Sequence, residues 1–163
     1  MNDFFTKTDL SRKDAENIIS ETLNKCDDGE LYLENSKSES IVLDDNKIKS
    51  SSYSSDLGYG LRAVTGEVVA YSHSNEISKN SLKQSADNLS STLKSKKGVY
   101  NHEIPKTNEK FYKNINPIEE KSLQSKLELL KEVNNYTRAK GGTVQQVTAS
   151  FSGEHKSIEI IRS

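Results

Sequence analysis

The residues that could carry out chemistry in this sequence are few and scattered. The three histidines, His73, His102 and His155, lie far apart, whereas a hydrolytic zinc site typically has two histidines one helical turn apart and a nearby carboxylate. Glu154 precedes His155, but a predicted turn there prevents the two side chains from sharing a helical face. The spacing predicts no metal site, and the histidines are expected at the surface or at strand ends.

Cys26 is the only cysteine of the chain. An intrachain disulfide is therefore excluded, and a reducing compartment is consistent with the composition. A nucleophilic cysteine needs a neighbouring base and an electropositive setting. Cys26 instead falls on the apolar face of the first predicted helix, so we expect it to have a structural role at the buried end of that helix.

The stretch from Leu57 to His73 forms the centre of the predicted fold. Apolar runs flank Thr65-Gly66, which predicts a β-hairpin with glycine supplying the turn. Gly58 and Gly60 alternate along the first strand, so one face lacks side chains there, and another backbone, a helix or a ligand can approach closely. A phosphate-binding loop would open a helix, whereas this segment enters a strand. No phosphate site is predicted.

Arg62 continues the face on which Gly58 and Gly60 lie. Its guanidinium can clamp a carboxylate or a peptide terminus, or it can pair with Glu67 across the hairpin, and the second interpretation is favoured. The candidate peptide or interface contacts in this segment are Gly58, Tyr59, Gly60, Arg62 and Glu67.

Residues 47–55 form a predicted strand rich in serine, in which Ile48 is the main apolar residue. Backbone pairing needs little from side chains, so such a strand can accept an extended peptide as an added strand. The same pattern is also typical of a solvated edge strand, which is the favoured interpretation.

Length and charge limit the classes of protein to which the chain can belong. Its 163 residues suffice for one domain with a core. The net charge is −1, with both signs interspersed, so no basic field would attract nucleic acid or an anionic membrane. No apolar run approaches the roughly 20 residues of a membrane span, and no signal segment opens the chain. We expect a cytoplasmic protein with neither nucleic acid nor membrane as a partner.

Periodicity predicts an α+β fold. Helical spacing of apolar residues predicts three helices: one from Ser11 to about Lys25, one from Asn75 or Ser78 to about Leu93, and one from Asn116-Pro117-Ile118-Glu119 to Gly141-Gly142. Alternation predicts strands at residues 31–34, 38–43, 47–55 and 110–112, in the Thr65-Gly66 hairpin, and in a second hairpin that turns at Gly153-Glu154. The expected architecture is a mostly antiparallel sheet of about six to seven strands with about three helices packed on it.

Several of these segments together resemble the N-terminal domain of the TldD/PmbA metalloprotease family. They are Leu31-Tyr32-Leu33-Glu34, Ser38-Glu39-Ser40, Asp44 to Lys49, Gly58 to Glu67, and Gln84-Ser85-Ala86. The most specific part, Gly-x-Gly-x-Arg-Ala-Val-x-Gly-Glu, is similar to the TldD-type subunit more than to the PmbA (TldE) type. The resemblance covers nearly the whole chain and implies a single domain, residues 1–163, that ends before the catalytic metal-binding region of the family.

The resemblance implies a cytoplasmic zinc-dependent peptidase, a hydrolase that acts on unfolded or extended peptides inside a chamber. It also implies a hetero-oligomer with a TldE/PmbA-type partner subunit, or self-association. The zinc of the family is held by a His-Glu-x-x-x-His helix and a distant cysteine, and this motif is absent from the sequence. No catalytic or metal residue is therefore assigned to any position. We expect this segment to bind no zinc and to be inactive by itself.

Three functions are consistent with these observations. In the first, the chain is the non-catalytic N-terminal domain of a metallopeptidase and contributes chamber wall, subunit contacts or an edge for the peptide. In the second, it is a stand-alone peptide-binding or scaffold domain without peptidase activity. In the third, it is a regulator that pairs with a catalytic subunit.

Overall fold

A computed structural model describes residues 4–6, 8–93 and 115–162 of the chain. These residues form three helices and four strands: α1 (Arg12–Leu23), β1 (Asp28–Asp44), β2 (Lys47–Thr65), β3 (Val68–Ser74), α2 (Lys79–Leu93), α3 (Leu123–Ala139) and β4 (Thr148–Ile161). The strands form one antiparallel sheet in the order β3-β2-β1-β4. None of the described helices has the length and apolar character needed to cross a bilayer.

The three predicted helices are confirmed, whereas the predicted number of six to seven strands is wrong for the described part of the chain, which has four. Residues 31–34 and 38–43 both lie in β1, and residues 47–55 lie in β2 together with the first strand of the hairpin. Polar residues in these segments resemble strand boundaries, but a long strand with an exposed face tolerates them without a turn. The short strand expected at residues 110–112 lies outside the described residues.

The second predicted hairpin is also wrong, because β4 continues through Gly153-Glu154 without a turn. A Cβ atom at Gly153 would lie 3.5 Å from Cγ1 of Ile118. A glycine within a strand can mark the close approach of another segment as well as a bend. At this position Ile118 packs over the strand.

Local capping signals correctly locate the starts of the first two helices. The Ser11 hydroxyl accepts a hydrogen bond from the Asp14 amide at 3.0 Å, which caps α1. Of the two candidates for α2, Ser78 is the cap, since its hydroxyl accepts from the Ser81 amide at 3.1 Å. Both helices therefore begin where a serine hydroxyl satisfies an amide that has no partner within the helix.

The third helix begins later than predicted. The side-chain oxygen of Asn116 accepts from the Ile118 amide at 3.1 Å, and its carbonyl accepts from the Glu119 amide at 3.3 Å, so this motif forms a turn. The cap of α3 is Ser122, whose hydroxyl accepts from the Ser125 amide at 3.2 Å. An asparagine before a proline is typical of turns as well as helix starts, and here the turn is formed.

Helical spacing places Leu123, Leu127, Leu130 and Thr137 on one face of α3, and this stripe is only partly buried. Leu130 is buried, Leu127 packs half-buried beside it, and Leu123 is 53% exposed. The other buried positions of the helix are polar: Lys126 and Asn134.

Two hairpin turns contain residues with positive φ, and the turn at Gly66 matches the prediction. Asp45 and Asn46 both have positive φ, at 47° and 65°, as asparagine and aspartate tolerate in tight hairpin loops. Gly66 has φ 59°. Thr65 lies opposite Val68 in the register of β2 and β3, so Gly66 and Glu67 form a two-residue loop.

The chain divides into two compact units. Unit 1 comprises the described residues within the ranges 1–35, 56–113 and 157–163, and its apolar core joins α1 and α2 to strand residues that include Leu31, Leu33 and Leu61. Cys26 packs half-buried against this core. Unit 2 comprises the described residues within the ranges 36–55 and 114–156. Its smaller core consists of Ile41, Leu43, Leu130 and Ala149, with Leu127 and Phe151 packed beside them.

Candidate functional site

The hairpin of β2 and β3 carries most of the predicted contact residues. In its register Gly60 lies opposite His73 and Arg62 lies opposite Tyr71, and residues opposite each other in antiparallel strands project to the same side. We call this side the open face, which consists of Gly58, Gly60, Arg62, Tyr71 and His73.

Tyr71 occupies the space that the missing side chain of Gly60 leaves. A Cβ atom at Gly60 would lie 2.5 Å from the Tyr71 hydroxyl oxygen and 3.0 Å from its ring. The Tyr71 ring also stacks on His73, with centroids 5.8 Å apart and an interplanar angle of 27°. Tyr71 remains 64% exposed. The open face therefore presents an aromatic pair to solvent.

Gly58 accommodates the backbone of the same chain. A Cβ atom at this position would lie 2.7 Å from the carbonyl oxygen of Ser74 and 3.3 Å from Cα of Asn75. The close approach predicted from the alternating glycines is thus made at Gly58 by the segment that leaves β3, and at Gly60 by a side chain of β3.

The favoured pairing of Arg62 with Glu67 is wrong. Arg62 Nη2 lies 2.5 Å from Asp28 Oδ2, and Arg62 Nε lies 3.6 Å from Glu30 Oε1. Glu30 also accepts from Arg162, at 2.7 Å from its Nη2. The two-residue loop places Tyr71 rather than Glu67 opposite Arg62, and the acids of the neighbouring β1 pair with the guanidinium instead.

Tyr59 faces the helices and not the open face. Its side chain is 4% exposed, and its hydroxyl lies 2.9 Å from the hydroxyls of both Ser81 and Ser85. The Ser72 hydroxyl donates to Ser85 at 3.0 Å. This chain of hydroxyl groups joins the hairpin to α2.

The structure therefore gathers Gly58, Gly60 and Arg62 on one face, and places Tyr59 on the other face and Glu67 in an exposed loop. Whether these residues contact a peptide or a partner stays a prediction. Sequence reasoning missed Tyr71 and the acidic partners Asp28 and Glu30. The alternation of acids with leucines in β1 is the signal that could have revealed the acidic face.

A second feature is the free edge of β2, which we define as residues 47–57. Every residue of this edge is exposed, including Ile48 at 56% and Tyr53 at 57%. The strand β3 pairs with residues 59–65 of β2, so within the described ranges no further strand covers the preceding part of β2 on that side. This is the serine-rich segment in which the sequence predicted an exposed edge.

The described residues do not match the donor set of a zinc site. They contain no group of three or more histidine, cysteine, aspartate or glutamate side chains arranged to hold a metal ion. Asp28 and Glu30 of β1 pair with arginines, and His73 of the open face stacks on Tyr71. His102 lies outside the described ranges.

Comparison with known proteins identifies the class of protein to which this chain is similar. Residues 29–93 match the family model of PmbA/TldA metallopeptidase domain 1. The metalloprotease TldD homolog of Buchnera aphidicola subsp. Acyrthosiphon pisum is 36% identical over 133 residues, which are 81% of this chain and 28% of that protein. The TldD homolog of Haemophilus influenzae is 32% identical over 167 residues, covering 98% of this chain and 34% of that protein. The chain thus spans about a third of the length of these relatives.

Two solved structures share the fold. A protein of Bacteroides thetaiotaomicron, described as a proposed modulator of DNA gyrase, superposes with a TM-score of 0.67 and 18% identity over 93% of this chain and 36% of its own. TldE from Thermococcus kodakarensis superposes with a TM-score of 0.58 and 17% identity over 90% of this chain and 34% of its own.

The chain belongs to the PmbA/TldD metallopeptidase family. Within that family its curated relatives are TldD homologs, so the predicted resemblance to the TldD type is confirmed.

Proposed function

We propose that the chain is the non-catalytic first domain of a TldD-type, zinc-dependent metallopeptidase that acts in the cytoplasm on unfolded or extended peptides. The observation that carries this proposal is the match of residues 29–93 to metallopeptidase domain 1, together with 32–36% identity to two TldD homologs. Because this chain corresponds to about a third of those relatives, the zinc ligands and the catalytic groups are assigned to the remainder of the longer protein.

The free edge of β2 is the surface that we assign to the peptide. A peptide that adds as a strand is held mainly by backbone hydrogen bonds, so the small serine side chains of residues 50–52 leave room for many sequences. The same edge would otherwise be a hazard for aggregation. A binding role gives a reason for leaving this long edge exposed.

The open face is the surface that we assign to a subunit contact, with a TldE/PmbA-type subunit as the partner. Tyr71 of the open face is 64% exposed. Val69 lies two residues before it in β3, on the same side, and is 60% exposed. Exposed aromatic residues are enriched in protein interfaces. The structural similarity to TldE of Thermococcus kodakarensis supports a partner that is built on the same fold.

The test of the family function is a peptidase assay on the complete gene product, purified alone and together with a TldE-type subunit. Zinc-dependent cleavage of an unfolded peptide, abolished by a chelator and restored by zinc, is the expected result. Zinc-loaded assemblies that cleave none of a panel of unfolded peptides would favour a peptide-binding or regulatory scaffold domain instead.

The test of the peptide edge is a titration with an unfolded peptide followed by amide chemical shifts. We expect shifts to change in residues 47–57 and to stay constant in residues 59–65, which pair with β3 and serve as an internal control. An unchanged spectrum over residues 47–57 at saturating peptide would contradict the edge assignment, and the family function would still stand.

A further inference from the structure

The helix α3 presents a group of apolar side chains to solvent. Leu129, Val133 and Tyr136 are 49%, 45% and 66% exposed. Their spacing of four and three residues places them on one side of the helix, each above the last. We call these three residues the α3 patch. A single exposed apolar residue is ordinary, whereas a contiguous group of them is typical of an interaction site.

Another side of α3 packs on the core of unit 2, although two of its buried residues are polar. The buried residues of the helix are Lys126, Leu130 and Asn134, and Leu130 belongs to the apolar core. In an ordinary surface helix the apolar residues lie on the buried side. Because α3 also carries apolar residues on an exposed side, it has the pattern of a helix that packs against neighbours on two sides.

Acidic side chains border the α3 patch. Glu132 follows Leu129 by three residues and precedes Tyr136 by four, and Glu128 lies one turn before it. Both glutamates are exposed. Gln124 donates to Glu128 at 2.8 Å, and neither glutamate has an ion-pair partner among the described residues. Like charges one turn apart repel each other, so a basic group brought beside them is favourable.

The basic residues of the helix do not supply that group. Lys131 and Arg138 each follow a residue of the α3 patch by two positions, which places them on the far side of the helix. Lys140 Nζ lies 4.4 Å from the centre of the Tyr136 ring, at the end of the patch. The charges of α3 therefore fit an apolar segment that carries lysine or arginine along one border.

The size and charge of the α3 patch argue against a separate partner. Three apolar and two acidic side chains form a small surface, whereas a stable interface between separate proteins involves about 20–30 residues on each side. A second copy is also disfavoured by charge. Two α3 helices related by a two-fold axis perpendicular to them run antiparallel, so the same flank of each helix meets, and the Glu132 carboxylates of both copies come together.

A segment of the same longer chain needs fewer contacts. Tethering gives it an effective concentration of about the millimolar range, so a small patch suffices to hold it. The chain corresponds to 28% and 34% of two TldD homologs, so about two thirds of their length has no counterpart here. The match to metallopeptidase domain 1 covers residues 29–93, and α3 follows this match in the sequence.

We propose that the α3 patch is a docking site for the remainder of the longer protein. The remainder covers the patch with an apolar segment, and lysine or arginine side chains at the border of that segment pair with Glu128 and Glu132. This inference rests on the length of the relatives and on the surface of α3. It does not depend on peptidase activity.

The accessibility of single positions on α3 tests the proposal. In the complete gene product, Val133→Cys places a thiol in the α3 patch, and Lys131→Cys places one on the far side as the matched control, both at exposed positions. Each variant is treated with N-ethylmaleimide in native buffer and in urea, and mass spectrometry follows only the α3 peptide, so other thiols do not interfere. If the patch is docked about nine-tenths of the time, native labelling at position 133 should be about tenfold slower than in urea. Labelling at position 131 should be nearly equal in the two buffers.

A charge reversal tests the basic border. Glu132→Lys, added to the Val133→Cys variant, should remove most of the protection at position 133, because the new ammonium repels the basic side chains of the docked segment. Glu16→Lys makes the same change at an exposed position of α1 and should retain the protection. Equal protection in the two charge variants would contradict the proposed pairing.

A photo-cross-link identifies what covers the patch. Ser125 is exposed and lies one turn before Leu129, so a benzophenone maleimide attached to Ser125→Cys in the complete gene product borders the patch. We expect cross-links, within single molecules, to peptides that follow position 163. Cross-links confined to residues 1–163 or to a second molecule, or equal labelling of positions 131 and 133, would overturn the proposal. A gene product that cleaves peptides and leaves position 133 unprotected would lose this inference and keep the proposed peptidase function.

Discussion

Lys126 of α3 and Glu39 of β1 form an ion pair inside unit 2, where their side chains are 5% and 11% exposed. Lys126 Nζ also donates to the Ile118 carbonyl at 2.6 Å and lies 5.7 Å from the centre of the Phe151 ring. A charge buried this deeply is unfavourable unless it is paired and hydrogen-bonded. The helix α3 therefore turns a charged residue inward at a position where an apolar residue would be the ordinary choice.

Removal of one member of this pair should destabilise the chain strongly. Lys126→Met leaves the Glu39 carboxylate buried and unpaired, and we expect a loss of about 3–5 kcal/mol in the free energy of unfolding, measured by urea denaturation. The double variant Lys126→Met/Glu39→Leu should recover most of that loss, because no buried charge remains. Lys131→Met, at an exposed position of the same helix, is the control. A single variant as stable as this control would contradict the prediction.

Acid should weaken the contact between α1 and α2. Hydrogen bonds from Lys79 and then Ser11 hold the pKa of Asp14 at about 2, below its ordinary value of 3.8. A carboxyl whose pKa is lower in the folded state contributes its stability above the unfolded value and loses it as the pH falls through the folded value. The melting temperature should therefore decrease as the pH is lowered from about 4 to about 2, in part because Asp14 becomes protonated.

The variant Asp14→Asn isolates this contribution, because it keeps the shape of the side chain and cannot titrate. We expect the variant to be less stable than the native chain at neutral pH and to approach it in stability near pH 2. Parallel stability curves for the two proteins over this pH range would be inconsistent with the assignment.

Tyr32 should ionise at unusually high pH. Its hydroxyl donates to Glu34 Oε2 at 2.5 Å, and this hydrogen bond, with desolvation and the negative charge of Glu34, raises the pKa of Tyr32 to about 12 from 10.0. Glu34→Gln should return the pKa towards 10.0, because it removes the negative charge. The measurement is a tyrosinate absorbance titration, with Tyr32→Phe identifying the contribution of this residue. An unchanged Tyr32 midpoint in the Glu34→Gln variant would refute Glu34 as the cause of the raised pKa.

The two glycines of the open face should differ in their tolerance of alanine. A Cβ atom at Gly58 meets the backbone carbonyl of Ser74 at 2.7 Å, whereas one at Gly60 meets the far end of the exposed Tyr71 side chain. Gly58→Ala should therefore lower the free energy of unfolding by about 1–3 kcal/mol. Gly60→Ala should cost less and displace Tyr71 from His73, which ring chemical shifts would detect. Equal costs for the two variants would count against this interpretation.

Features that depend on neighbouring residues were predictable from the sequence. The starts of α1 and α2 at Ser11 and Ser78 were recognised because each serine hydroxyl accepts a hydrogen bond from the backbone amide three residues later. The turn at Gly66 was recognised because few residues adopt its positive φ. In the same way, the family motif from Gly58 to Glu67 lies within one hairpin.

Features that depend on distant segments were not predictable. The partners of Arg62, Asp28 and Glu30, are more than thirty residues away in sequence and become neighbours only through the pairing of β1 with β2. β4 continues through Gly153, and Ile118 packs against the strand at this glycine. Whether a glycine marks such a contact or a turn depends on a segment that is distant in sequence. Sequence periodicity contains no information on such contacts.

By itself, the sequence determined the helix caps, the tight turns, the exposed serine-rich edge and the family of the chain, because these rest on local backbone preferences and on a contiguous motif. Only the tertiary structure decided that Lys126 turns inward to Glu39, that Tyr71 covers Gly60, and that the α3 patch stays exposed. The physical reason is that burial and pairing depend on which segments meet in space, and side chains of the same type are stable either in solvent or in a core with the right partner.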